Sequence, residues 1–139
     1  MIQTIYDPER YVGNNTVAVF AFNWRILAKT DLLVLSRAID GTVTTLTVDS
    51  DYTVPPSSIN NPSGGSITLI AGNLATGVQL FIVRATAETQ LVHIEEGSPF
   101  PTATVEEVFD RLTMMIQELR YLLRQTLHTE ETHCSVPEE

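Results

Sequence analysis

Two hydrophobic periods divide the chain. Between Thr16 and Ala85 apolar and polar residues alternate in short runs, whereas between Val105 and Leu123 the apolar positions return at alternating spacings of four and three. The first pattern belongs to strands with one buried face, the second to an amphipathic helix. The strands expected are "TVAVFAF" (16–22), "DLLVLSRA" (31–38), "TVTTLTV" (42–48), "DYTV" (51–54), "SITLI" (66–70), "VQLFIVRA" (78–85) and "TQLVHI" (89–94). Asp40-Gly41 between the second and third is a hairpin signal. Pro55 and Pro56 stop the fourth, and "SSINNPSGG" and "AGNLATG" read as loops. Residues 1–15, with Pro8 and "GNN", read as an N-terminal extended arm ending in a turn. Many short strands separated by Gly, Pro, Asn and Asp predict a mainly β domain over 16–98, an antiparallel β-sandwich or partly open barrel.

The helix is expected from Val105, with Thr104 as cap and Glu107 reaching back to it. Pro99 and Pro101 separate strand from helix, and Glu106, Glu107 and Asp110 lie at the positive end of the macrodipole. With Phe109 at heptad position a, the a and d positions are Val105, Phe109, Leu112, Ile116, Leu119 and Leu123, an unbroken candidate trimer interface. The g positions Val108, Met115 and Leu122 are also apolar. That widens the stripe enough for partner helices on one side and the chain's own β domain on the other, so these three are the expected helix to β-domain packing residues. The bland alternative is a helix that only packs across its own sheet. Phe, Ile, Leu and Met mixed over the seam favour three or more strands. Residues 99–127 then form a linker and trimerisation helix, and 128–139 a polar acidic tail.

Charge narrows the partners. The net charge is -9, and it is uneven: residues 1–94 carry seven acids and five bases, residues 95–139 ten acids and three bases. Without a basic footprint, nucleic acid is not an expected partner. Cys134 is the sole cysteine, which excludes an intrachain disulfide and fits folding in a reducing cytosol. "MIQTIYDPER" carries neither a basic n-region nor an apolar h-region, and no run is long and apolar enough to predict a membrane span.

Candidate chemistry is sparse. The chain carries no nucleophile elbow, Walker loop or HExxH motif. Asp49 and Asp51 read as turn caps rather than paired catalytic carboxylates, His93 as strand packing or surface, and Glu95 and Glu96 as a solvated turn. His128, His133 and Cys134 match no usual zinc spacing. No catalytic residue, metal site or cofactor is therefore expected, and the chain is not read as an enzyme. Trp24 beside Arg25 is a candidate hot spot or a core closure. Tyr6, Arg10 and Tyr11 in the arm, and Glu130, Glu131 and His133 in the tail, complete the candidate partner contacts.

The order "VAVFAFNW", "ILAKTDLLVLSR", "TLTVDSDYTV", "GGSITLI", "GVQLFIVRAT" and "TQLVHIEEGSPFPTATVEEVFDRLTMMIQEL" resembles the N-terminal virion-attachment domain of podophage (short-tailed phage) tail fibres and tailspikes. The matching pieces are Asp51 to Val54, Ile82 to Arg84, and Phe100 with the helix from Val105. The resemblance covers about residues 12–125 and implies a phage virion structural protein, a homotrimer docked on the tail adaptor, nozzle or portal-proximal proteins, with its helices bundled on the threefold axis. It also implies a role as fibre or as adaptor anchoring a separate fibre or tailspike. Because the chain stops at Glu139, receptor binding and glycan cleavage are not carried over, and a stand-alone attachment module is expected. The competing readings are a capsid decoration protein and a soluble carbohydrate-binding β-sandwich module.

Overall fold

The computed structural model describes residues 2, 6–89, 96–97 and 102–134, with the side chains of its helix described as far as Thr126. Among the described residues, two antiparallel sheets stack face to face. The first contains β1 (Glu9–Val12), β7 (Gln79–Arg84), β3 (Leu32–Arg37) and β4 (Val43–Leu46), in that spatial order. The second contains β2 (Val19–Phe22), β6 (Gly65–Leu69) and β5 (Tyr52–Thr53). One long helix follows, α1 (Thr102–Cys134). The expected architecture, mainly β with one C-terminal helix, is the one observed.

Side-chain alternation decides which residues fill the space between the sheets. On β7, Leu80, Ile82 and Arg84 point inward, while Phe81 and Val83 face out beside their β3 partners Leu35 and Leu33. Phe20 and Phe22 of β2, Val34 of β3, Tyr52 of β5 and Ile67 of β6 meet Leu80 and Ile82 in the core. Trp24 and Ile26 continue the inward side of β2 past its last ladder bond, so the core extends toward the end where β7 finishes. The Trp24 indole stacks on Phe22 at 4.8 Å and donates its N–H to the Asp7 carbonyl at 2.8 Å.

Turns set the register. In the β3–β4 hairpin the Ala38 N–H donates to the Thr42 carbonyl at 2.8 Å, with Gly41 at φ +93°. Gly64 has φ +89°, and a Cβ there would strike the Phe22 carbonyl oxygen, so glycine is required where β6 enters against β2. Asp51 Oδ2 accepts from the Thr47 amide at 2.8 Å, while Asp49 sits at φ +65° and pairs with Lys29. The Asp51 carboxylate thus caps the turn before β5, while that of Asp49 ties the turn to Lys29.

The bounds of two elements depart from the sequence reading. Part of the expected extended arm is the edge strand β1, hydrogen-bonded along β7 with Arg10 opposite Phe81 and Tyr11 opposite Leu80. It covers backbone groups that β7 would otherwise present unpaired, and it brings the Tyr11 ring onto Phe20 at 5.1 Å. The helix begins at Thr102, so Thr104 lies inside its first turn rather than at the cap, and it continues past Leu127 to Cys134. The expected strand at 89–94 with His93, together with Glu95, Pro99, Phe100 and Pro101, falls outside the described residues apart from Thr89.

Ile82→Ala removes a fully buried side chain at the centre of the first sheet and is expected to cost about 2–5 kcal/mol of unfolding free energy in urea titration. Ile39→Ala, at an exposed turn, is expected to stay within about 0.5 kcal/mol of the parent chain. Equal losses at both positions would contradict this core.

Candidate functional site

The inward alternation of β7 ends on an arginine. Arg84 lies where the sandwich stops, its guanidinium 4.5 Å from the Tyr6 ring centroid and 5.8 Å from that of Trp24. The side chain is 1% exposed, so its donors need partners within the protein. Nε donates to Glu118 Oε1 at 2.8 Å, and Nη2 to Gln117 Oε1 at 2.8 Å and the Met114 carbonyl at 3.2 Å. Nη1 donates to the Arg25 carbonyl at 3.1 Å. Burial pulls the guanidinium below its ordinary value, and the hydrogen bond and charge of Glu118 oppose that pull.

Three of those bonds end on α1, and other polar contacts repeat the connection on either side. Thr86 Oγ1 donates to Glu118 Oε1 at 2.6 Å, and the Thr86 amide donates to the same carboxylate. Arg25 Nη1 donates to Asp110 Oδ2 at 2.9 Å, a pair largely removed from solvent, and the Arg25 guanidinium also holds Asn60. Tyr121 closes the row with its ring edge-on to Tyr6 at 5.9 Å. The Tyr6 hydroxyl accepts from the Arg84 amide at 3.0 Å, and burial pushes its pKa up to about 12, so it remains neutral at ordinary pH.

The helix face against the β domain is therefore Asp110, Met114, Gln117, Glu118 and Tyr121. These are heptad positions b, c and f, on the side away from a and d. Of the expected packing residues Val108, Met115 and Leu122, the first two are half-buried beside this face, whereas Leu122 is 61% exposed and is corrected as a packing residue. The dock is mostly polar because it meets buried cations rather than the apolar sheet face. Met114 is the fully buried helix residue at its centre.

The seam residues face away from this dock. Phe109 is 63% exposed, Ile116 64%, Leu119 65% and Leu123 56%, and Leu112 is exposed beside them. Among the described residues, then, the chain leaves a continuous apolar row on a helix whose rotation is held from behind. Val105 extends the row and is half-buried.

Other candidate residues separate clearly. Tyr6 lies in the chain's own core, which corrects its reading as a partner contact, and of the two readings of Trp24 the core closure is the one observed. Arg25 is tied to Asp110 and Asn60. Arg10 is exposed on the outer sheet face, over the Phe81 ring, and Tyr11 packs inward. The side chains of His128, Glu130, Glu131, His133 and Cys134 lie outside the described ones. Sequence reading missed Arg84, Asp110 and Glu118 as a set. The available signal was a charged residue at an inward position of a strand otherwise built from Leu80 and Ile82.

Asp31 sits on the same side of the domain, 5% exposed, with Oδ2 lacking a hydrogen-bond partner among the described residues. Burial raises its pKa, against the charge of Arg111 on α1 and backbone hydrogen bonds that favour ionisation.

No known protein-family profile matches the chain. The tail spike protein of Salmonella phage epsilon15 is 32% identical over 126 residues, which are 91% of this chain and 12% of that protein. The chain thus spans a small part of the length of the curated relative it matches, and the tailspike resemblance read from the order of its strands is borne out.

Arg84→Ala leaves Glu118 and Gln117 without their buried partner and is expected to cost about 3–5 kcal/mol in chemical unfolding. Arg84→Lys should recover little of this, because an ammonium cannot span the same forked set of acceptors. Wild-type stability in both variants would remove Arg84 from its place as the anchor of the helix.

Asp31 generates a pH prediction. Its folded-state pKa is raised, so its protonated form favours the fold, and this stability is lost as pH rises from the ordinary carboxylate range through the raised value. The melting-temperature difference between Asp31→Asn and the parent should therefore shift toward the variant across that interval and then level off. A difference independent of pH would exclude this titration.

Proposed function

We propose that this chain, a relative of phage tail spike proteins that shares one segment of their length, is a structural component of a phage tail that assembles as a homotrimer through α1. The observation that carries the reading is the uncovered row Phe109, Leu112, Ile116, Leu119 and Leu123. Monomeric proteins seldom expose a contiguous apolar surface of this kind without a partner for it. The heptad spacing fits other helices of the same period, and the apolar g positions widen the stripe beyond what a two-stranded coil requires.

In that assembly the three helices lie on the axis and each β domain hangs outside on its Arg84 dock. The end of the β domain away from α1 remains free for the tail adaptor, nozzle or portal-proximal proteins. Val12, Gln79, Arg37 and Val43 form one cross-strand row there, in which Val12 and Val43 are exposed. The far end of the helix, with Glu130, Glu131 and His133, serves as the contact for a fibre or tailspike. The chain thus positions other components and carries no catalytic role.

Light scattering of the purified chain is expected to give about three times its 15.4 kDa mass. Ile116→Asp combined with Leu119→Asp should reduce that mass to a single chain while leaving the β signature of circular dichroism in place, since both residues lie off the dock. A parent chain that is monomeric at every concentration and on purified tails would refute the homotrimer.

A further inference from the structure

The two flanks of α1 differ in charge and shape. On one flank a groove of about 290 Å³ runs between the helix and the outer face of the first sheet. Met115, Leu119 and Leu122 line it from the helix, Leu33 and Val83 from β3 and β7, and Glu88 stands exposed at its rim. On the opposite flank Arg120 and Arg124 are exposed beside a smaller hollow against Tyr6 and Tyr121. One flank is apolar with an acidic rim, and the other is basic.

We propose that the groove receives the Arg120 and Arg124 flank of the helix of a second copy of this chain, placed parallel and in register, so that the interface between copies includes the β domain. This rests on the homotrimer reading and adds the identity of the groove's occupant and the orientation of the helices. In a parallel in-register bundle, each g position faces the following e position of its neighbour, which sets Met115 opposite the neighbour's Arg120. The neighbour's aliphatic stem covers Met115 and Val83, and its guanidinium lies beside Glu88 at the rim. An antiparallel pairing would bring the two basic flanks together, so the charges select the parallel arrangement. Around a threefold axis every groove meets a basic flank, and the ring closes with none left over.

Co-expression tests the arrangement with the whole chain. In a Cys134→Ser background, a tagged Glu88→Cys chain and an untagged Arg120→Cys chain are produced together and oxidised. The expected result is a disulfide-linked pair containing one chain of each kind, absent when either variant is expressed alone. In the parent background, Arg120→Glu should raise the concentration at which the trimer dissociates by roughly fivefold at low salt, and adding Glu88→Arg should reverse most of that change. A trimeric mass with no mixed cross-link and no charge rescue would overturn the groove assignment and leave the homotrimer standing. A monomeric parent chain would overturn both.

Discussion

A buried guanidinium at the end of β7 organises this molecule. Arg84 occupies a position that strand alternation points inward, at the level where the sandwich runs out of opposing apolar side chains. A cation there is tolerable only if its donors are satisfied, and three of its four described hydrogen bonds end on α1. Hydrogen bonds are directional, so these contacts determine the rotation of the helix as well as its attachment. Arg25 with Asp110 on one side, and Tyr6 with Tyr121 on the other, extend the same constraint along the helix axis.

That constraint reverses the usual arrangement of an amphipathic helix. Such helices generally turn their apolar stripe toward their own domain. Here positions b, c and f, polar apart from Met114 and the Tyr121 ring, dock, and the apolar a and d positions face away. Each kind of contact suits its task. Charge-assisted hydrogen bonds hold one geometry within the chain, while apolar burial is broad and non-directional, and supplies most of the driving force in association between chains.

The same geometry explains why the β domain leaves the apolar row of the helix uncovered. With the domain attached to the back of the helix, the seam stays open along its length, and the sheet contributes only its outer face beside β7. A groove bounded by that face and by the g positions is a consequence. A helix docked through Val108, Met115 and Leu122 would have covered it.

Much of this was legible in the sequence. Alternation located six of the strands within a few residues, Asp40-Gly41 marked the hairpin, and heptad spacing named the residues that stand exposed on α1. These features follow from local periodicity, which records the side of its own element on which each side chain lies. The dock follows from pairings between distant residues: Arg84 and Glu118 are 34 positions apart, and Arg25 and Asp110 are 85 apart. Nothing in the spacing of either pair signals that they meet. For the same reason, Tyr6 could be read as an exposed contact, and Trp24 as a contact or a core residue, until the end of the sandwich closed over them. Sequence alone determined that the helix has an apolar face and a polar one. The tertiary structure decided which of them belongs to the chain itself, because a buried arginine requires a partner that only the folded arrangement supplies.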